Sequence, residues 1–425
     1  MSPSTIAVIG TGYVGLTTGA YLAHLGHRVV CADVVREKVE RLSRGEIPIF
    51  EAGLEDLVRA GIEGQRLSFV VGAARAVPEA EYVFLCVPTP QGEDGSADLS
   101  YIEAAAREIA PHLRPEAVVI NKSTVPVGSS RVVEQALGRD DVFVVSNPEF
   151  LREGSAVHDC LHPDRIVIGS DDQAAAMRVA SLFEDLGSPL IVTDPASAEA
   201  IKYASNAFLA TKVSFVNAVA NLCEAVGADV REVVLGMGYD RRIGFEFLKP
   251  GPGWGGSCFG KDTRALIRLA ADGGYDFSLL RGVVAVNEQQ YDRVVAKVER
   301  LAGRSLTGTV VAAWGLSFKA GTDDTRDSPA VAVITRLQDE GAIVRAYDPA
   351  ATGDVGGIVR MDDPYAVCEG AAVLVILTEW DEFRWLDLDK VREAMADPMI
   401  VDARNLLDPV EVRRKGFTYE GLGRR

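Results

Sequence analysis

Thr5-Ile-Ala-Val-Ile-Gly-Thr-Gly-Tyr-Val-Gly15 joins a short apolar run directly to a G-x-G-x-x-G pattern. The run reads as a strand buried on both faces. A helical pattern from Leu16 to Leu25 follows, Gly26 ends it, and His27-Arg-Val-Val-Cys-Ala-Asp33 is a second strand with an acid at its end. In that context the glycines permit a tight turn and a close approach of a pyrophosphate to the helix N-terminus. Asp33, eighteen residues past Gly15, can accept hydrogen bonds from ribose hydroxyls, and its charge repels a 2′-phosphate. The reading is an NAD site rather than an NADP site, a preference that Arg36 and Lys38 weaken slightly.

Further runs read as parallel-type strands: Tyr82–Val87, Ala117–Asn121, Val142–Ser146 and Arg165–Ile168. The first three end in Pro88-Thr-Pro90, Lys122-Ser-Thr-Val-Pro126 and Asn147-Pro-Glu149. The carboxyl ends of strands line the ligand crevice in open α/β sheets, which makes Thr89 and Thr124 candidates to face the cofactor. Singly, each reads better as a turn or cap residue. Glu149 and Glu153 stand four apart and share a face if their turn is helical. Acids at a helix N-terminus are the simpler reading of that pair.

At 425 residues the chain has room for two or three domains, and 48% hydrophobic with 25% charged residues is ordinary for a globular protein with a full core. A formal net charge of -17 argues against nucleic acid or an anionic membrane surface as the main partner. The six cysteines are scattered, with no C-x-x-C pair, which suggests reduced thiols in a cytoplasmic protein. The five histidines form no metal-binding motif, so no metal is expected. Residues 1–4 are too short and polar for a signal peptide, and no apolar run approaches the ~20 residues that span a bilayer.

Gly251-Pro-Gly-Trp-Gly-Gly-Ser-Cys-Phe-Gly-Lys-Asp262 has five glycines around one cysteine, and an apolar-periodic run follows it. This reads as a loop delivering Cys258 to the start of a helix, where the dipole favours the thiolate. Asp262 lies one turn on, on the same face. The stretch alone is read equally well as a tight loop around a buried thiol. Before it, Ala198–Val226 carries apolar residues at Ile201, Phe208, Phe215 and Leu222 and no glycine or proline. It predicts one helix of about 40 Å that joins two domains and can form a dimer face. Lys202 and Asn206 share one of its faces. They are either a solvated pair or a cation and amide that stabilise an oxyanion. Asp240–Lys249 holds three basic residues and leads into the cysteine loop, a composition that suits phosphates.

Thr309–Trp314 is again a strand, Asp323–Pro329 a polar loop capping the helix Ala330–Glu340, and Ile343–Asp348 repeats the strand-then-acid pattern. Ala372–Leu377 and Met399–Asp402 are further buried strands. This part reads as a second nucleotide-type sheet without G-x-G-x-x-G. Lys319, Arg326 and Arg404 fall just past strand ends, each singly a surface base and together a candidate phosphate site. The tail after Arg404 is short and suggests no added regulatory extension.

Taken together, Ile9–Gly15, Ser123–Gly128, Asn147–Gly154, Phe247–Gly251 and Gly255–Asp262 resemble the UDP-glucose/GDP-mannose dehydrogenases, in motif order and over nearly the whole chain. The cysteine loop is the most specific of these motifs, and His162–Gly169 is most similar to members acting on UDP-glucose. The resemblance implies an α/β chain of two Rossmann-like doubly wound domains joined by a long central helix and a helical middle domain. It places an NAD-binding domain over 1–196, a central dimerisation domain over 197–298 and a nucleotide-sugar (UDP) domain over 299–425.

The resemblance also implies the chemistry. NAD oxidises the C6 alcohol of UDP-glucose or a related nucleotide sugar, Cys258 holds the aldehyde as a thiohemiacetal, a second NAD gives a thioester, and water releases the acid. Lys202 and Asn206 stabilise oxyanions, Asp262 with Thr124 positions the water, and Glu149 and Glu153 match the family's acid pair. Cofactor contacts carried over are Gly10, Gly12, Tyr13, Val14, Gly15, Asp33, Lys38, Pro88, Thr89, Thr124, Glu153, Lys261 and Arg326. Substrate contacts are Glu149, Phe150, Leu151, Arg152, Lys202, Asn206, Phe247, Leu248, Lys249, Gly255, Cys258, Phe318, Lys319 and Arg404. Arg242 matches a contact that can be donated across a homodimer. Three alternatives remain: the same chemistry on GDP-mannose or an N-acetylated UDP-sugar, a two-electron dehydrogenase with a structural Cys258, and a non-catalytic nucleotide-sugar binder.

Overall fold

β1 (Thr5–Ile9) sends Ile6 and Val8 to one face of its sheet and Ala7 and Ile9 to the other, and both faces are buried. In the computed structural model, which describes residues 3–92, 97–351 and 353–424, the chain forms two units. One comprises Met1–Ser205 with Arg264–Leu269, the other Asn206–Thr263 with Ala270–Arg425.

The first unit holds an eight-stranded sheet in the order β3-β2-β1-β4-β5-β6-β7-β8. Its other strands are β2 (Arg28–Asp33), β3 (Leu67–Val71), β4 (Tyr82–Leu85), β5 (Val118–Asn121), β6 (Phe143–Ser146), β7 (Ile166–Gly169) and β8 (Leu190–Thr193). Leu16 and Leu22 of the helix Tyr13–His24 cover one face, and Ile102 and Ile109 of the helix Ser100–Ile109 the other. Each such side chain contributes roughly 1.5–3 kcal/mol by leaving water. The strand order reverses at β1, which pairs with β2 and β4, so the carboxyl ends of β1 and β4 flank the expected ligand crevice.

Three expectations need correction. β7 is parallel to β8 on one side but runs antiparallel to β6 on the other, through Ser146 and Gly169. Residues 147–155 form a loop, and the helix that follows, Ala156–Leu161, has only 6 residues. At about 9 Å it is too short to return the chain along the sheet. That loop also removes the helical turn on which Glu149 and Glu153 were to share a face. The long helix starts earlier than its apolar pattern, at Pro195, and runs 32 residues to Val226, about 48 Å. Its start signal is Asp194-Pro195: proline suits the first helical position, and Asp194 Oδ1 accepts from Ser197 N at 2.8 Å.

The second unit holds a six-stranded parallel sheet, β11-β10-β9-β12-β13-β14. The strands are β9 (Val310–Trp314), β10 (Ile343–Tyr347), β11 (Val359–Arg360), β12 (Val373–Ile376), β13 (Met399–Asp402) and β14 (Thr418–Gly421). The strand order reverses at β9, as expected of a second nucleotide-type sheet. Asp348, the acid after β10, is not a second copy of Asp33 in use. It is buried and accepts from Leu316 N, Ser317 N, Ser317 Oγ, Ala350 N, Ala351 N and Trp380 Nε1. Those six donors make it an anchor of the loop after β9. No helix among the described residues is long and apolar enough to cross a membrane.

Candidate active site

In the first unit the glycine turn has a separate reason for each of its glycines. Gly10 takes a φ of +96°, and a Cβ there would stand 2.5 Å from the Cys86 carbonyl oxygen. A Cβ on Gly15 would stand 1.9 Å from the Gly10 oxygen. At Gly12 it would meet nothing within 4 Å. Gly12 is the N-cap of the helix Tyr13–His24, with no side-chain cap bond to that helix's first N–H groups. An open approach to helix N–H donors fits a pyrophosphate. Asp33 Oδ2 accepts from Thr11 N (3.1 Å), Thr11 Oγ1 (2.6 Å) and Lys38 Nζ (3.0 Å). Among the described residues Oδ1 takes only Val35 N (3.1 Å), which leaves it acceptor capacity for a ribose hydroxyl. Burial raises the Asp33 pKa, but these donors outweigh it and hold it at about 2. Lys38 is thus Asp33's ion-pair partner. Val14 packs on the core, and Pro88 and Thr89 follow β4, with Thr89 Oγ1 donating to the Thr124 carbonyl at 2.9 Å.

The loop 147–155 is pinned along its length. Lys202 Nζ donates to Glu149 Oε1 at 2.7 Å, with both side chains buried, and Leu151 N donates to Glu149 Oε2 at 2.6 Å. Burial would raise the Glu149 pKa, but the Lys202 charge and hydrogen bond, with help from Leu151 N and Lys122, hold it below the usual carboxylate range. Phe150 lies under the Arg165 guanidinium, 3.7 Å from its ring centroid, and 5.5 Å from Lys202 Nζ. Arg152 pairs with Asp159 at 2.6 Å, and Glu153 is half-buried beside Gly154.

In the second unit Cys258 is half-buried in the first turn of the helix Gly256–Asp272. Asp262, one turn on, is 0% exposed. Its Oδ2 accepts from Asn206 Nδ2 and its Oδ1 from Lys261 Nζ, both at 2.6 Å. The structure therefore brings Asn206, Lys261 and Asp262 into one polar cluster on the helix that bears the thiol. Phe247, with a φ of +61°, lies in the strained left-handed region, its ring 6.1 Å from that of Phe259. Leu248 is buried and Lys249 exposed. Arg404 donates to the Phe318 carbonyl at 3.0 Å and the Leu377 carbonyl at 2.8 Å, and Lys319 Nζ stands 5.7 Å from the Phe318 ring. Arg242 pairs with Asp240 and Arg326 with Asp324, each at 2.6 Å.

Family models for the UDP-glucose/GDP-mannose dehydrogenases match this chain in all three parts: the NAD binding domain over residues 4–187, the central domain over 196–289 and the UDP binding domain over 312–409. The chain belongs to the UDP-glucose/GDP-mannose dehydrogenase family. It is 47% identical to a UDP-glucose 6-dehydrogenase of Rhizobium meliloti, over 99% of both chains. It is 45% identical to UDP-glucose 6-dehydrogenase TuaD of Bacillus subtilis, over 99% of this chain and 93% of that one. A solved UDP-glucose dehydrogenase from Pyrobaculum islandicum is similar with a TM-score of 0.92 and 38% identity, covering 100% of this chain and 98% of that one. Like the family, the chain is an oxidoreductase with NAD as its cofactor.

Sequence reasoning missed the residues that hold this family member's cysteine loop. Asn287 Oδ1 accepts from Trp254 N at 2.8 Å, and its Nδ2 donates to the Trp254 carbonyl at 3.0 Å. Gln290 Nε2 donates to the Gly251 carbonyl at 3.0 Å, Asn217 Oδ1 accepts from Gly251 N at 2.8 Å, and Trp254 Nε1 donates to Ser214 Oγ at 2.8 Å. The only sequence signal was polar amides inside apolar helical patterns. Among the described residues no group of three or more His, Cys, Asp or Glu could hold a metal ion.

Proposed function

We propose that this dehydrogenase oxidises UDP-glucose to UDP-glucuronate in two NAD-dependent steps through an adduct on Cys258. The observation that carries the reading is a thiol in the first turn of a helix, with a fully buried carboxylate one turn on that engages an amide and a lysine. A metabolic binder needs none of these accessories. NAD, held by the glycine turn and Asp33, would supply the hydride acceptor, one molecule for each of the two oxidations.

The chain's residues do the rest. The Cys258 thiolate, favoured by the helix N-terminus, adds to the C6 aldehyde and gives a thiohemiacetal. Loss of hydride leaves a thioester, and water cleaves its C–S bond to give the carboxylate and return the thiolate. Asn206 donates to the oxyanion, a role Lys202 shares by the resemblance. Asp262 orients the hydrolytic water, and the family assigns Thr124 to the same step. Glu149 holds the Lys202 ammonium through its ion pair at 2.7 Å, and Glu153 serves the cofactor. The UDP part is held by the Phe247–Lys249 segment, Gly255, Phe318, Lys319 and Arg404, with Phe150–Arg152 toward the sugar. Arg326 contacts the cofactor. The division at 1–196, 197–298 and 299–425 serves these three tasks.

We also infer a homodimer. Phe208, Phe215 and Leu222 recur every seven residues on the long helix and are 64%, 54% and 59% exposed, an apolar stripe suited to a second copy that could donate Arg242. No disulfide joins the six cysteines, in keeping with a cytoplasmic enzyme.

The test is the NADH yield across UDP- and GDP-sugars, UDP-glucose first. Two NADH per UDP-glucose, lost in Cys258→Ala with NAD binding intact, is the expected result. One NADH per sugar, or uronate formed by Cys258→Ala, sinks the mechanism.

A further inference from the structure

Glu51 has no part in the roles above. It lies just before the helix Leu54–Glu63, is buried, and faces three donors. Oε1 accepts from Ala156 N at 2.8 Å, Oε2 accepts from Gly154 N at 2.7 Å, and Oε2 also takes the Tyr13 hydroxyl. Gly154 N donates to Tyr13 Oη as well, at 3.0 Å. Ala156 opens the helix Ala156–Leu161, whose N-cap Ser155 makes no side-chain cap bond. Glu51 caps that helix from 105 residues away in sequence.

The consequence is a mechanical link. Tyr13 is the first residue of the helix whose open N-terminus fits a pyrophosphate, and Gly154 lies near the end of the loop that carries Glu149 and Glu153. One carboxylate ties the two together. Glu149–Lys202 and Arg152–Asp159 hold the earlier part of that loop, and Glu51 holds its C-terminal end. Burial, then the hydrogen bond and charge of Glu51, push the Tyr13 hydroxyl far above the usual phenol range, so it remains a donor. We propose that Glu51 is a positioning residue for NAD, setting the glycine turn against the loop that bears Glu149 and Glu153. The proposal rests on the function proposed above, and its readout is binding rather than turnover alone.

The experiment titrates the full-length protein with NAD by calorimetry. In Glu51→Gln the one carbonyl oxygen can meet either Ala156 N or the pair of Gly154 N and the Tyr13 hydroxyl, and the NH2 group then faces the other donors. NAD should bind about tenfold more weakly, the worth of one charge-assisted hydrogen bond. Tyr13→Phe, which removes only the hydroxyl, should weaken NAD similarly, and the double variant should bind no worse than Glu51→Gln. An NAD dissociation constant within about twofold of wild type in Glu51→Gln, or single effects that multiply in the double variant, overturns the proposal. If Glu51→Gln does not fold, Tyr13→Phe decides alone, and unchanged NAD binding there overturns it. Failure of the functional reading is separate, because it shows as fewer than two NADH per UDP-glucose in the wild type.

Discussion

Replacing Asn287 by alanine removes the side chain that grips the backbone of the cysteine loop. Asn287 is buried in the helix Ser278–Ala302 and meets both the N–H and the carbonyl of Trp254, four residues before Cys258. In the variant the Trp254 N–H loses its partner, at about 1–3 kcal/mol for a buried donor. The carbonyl fares better, because Tyr291 Oη still donates to it at 3.3 Å. Adding about 1 kcal/mol for the lost amide bond gives an expected destabilisation of about 2–4 kcal/mol. All four tryptophans, Trp254, Trp314, Trp380 and Trp385, lie in the second unit, so urea unfolding followed by tryptophan fluorescence reads that unit alone.

Activity should fall with it. A loosened loop lets the thiol drift, and a misplacement of about 1 Å at a reacting group costs on the order of a hundredfold. Tyr291→Phe by itself should cost less than about 1 kcal/mol, since Asn287 still satisfies the carbonyl. In the Asn287→Ala background the same change strips that carbonyl of both side-chain donors, so the two effects should exceed their sum by at least about 0.5 kcal/mol. An Asn287→Ala protein within about 0.5 kcal/mol of wild type, or strictly additive effects, would refute the clamp.

Asp33 makes stability depend on acid. Its folded pKa of about 2 lies below the ordinary aspartate value of 3.8, so its contribution is present above pH 4 and is lost as pH falls toward 2. A shift of that size is worth about 2 kcal/mol, and the stability gap between wild type and Asp33→Asn should shrink by that amount between pH 6 and pH 2 in urea unfolding; a gap independent of pH counts against it. Glutamate at Phe208 and Phe215 together should convert the proposed dimer to monomer in sedimentation, while a dimer that persists argues for another interface. Alanine at Gly15 places a Cβ 1.9 Å from the Gly10 oxygen, so NAD binding should drop by tenfold or more, roughly the loss of a well-placed phosphate hydrogen bond; calorimetry with an unaltered constant would contradict it.

Local patterns were legible where the partner is close in sequence. The turn from β1 through Gly15 to Asp33 is one such unit, and so is Ser328-Pro329 before the helix Pro329–Asp339, where Ser328 caps as the polar loop suggested. Asp348 shows the limit: by pattern it matched Asp33, yet six donors around it make it an anchor. Glu51 and Asn287 were invisible for another reason. Their partners lie 103 and 33 residues away, and no periodicity encodes a contact that only the tertiary fold creates. The direction of β7 was hidden likewise, since it turns on residues 147–155 being loop, held open by Glu149, Arg152 and Glu51 rather than by local propensity.

The glycines of Gly251–Asp262 were read as part of a loop that delivers Cys258 to a helix start, and the packing supplies a physical cause. A Cβ on Gly253 would stand 2.6 Å from the Tyr291 ring, on Gly255 1.9 Å from the Asp327 carbonyl oxygen, and on Gly256 2.9 Å from the Phe318 ring. Each meets protein, so these glycines let the loop lie flat against the unit that carries it. Gly12 in the first unit is the contrast, with nothing within 4 Å of a Cβ. Alanine at Gly12 should therefore leave stability within about 1 kcal/mol while obstructing the pyrophosphate and weakening NAD. Alanine at Gly255 should do the reverse: stability falls by about 1–3 kcal/mol or more, because the clash is with backbone that cannot rotate away, while NAD binding to the native fraction holds. Thermal melts paired with NAD calorimetry separate the two causes. If Gly255→Ala kept its melting temperature and lost only turnover, the loop's glycines would be there for the substrate after all.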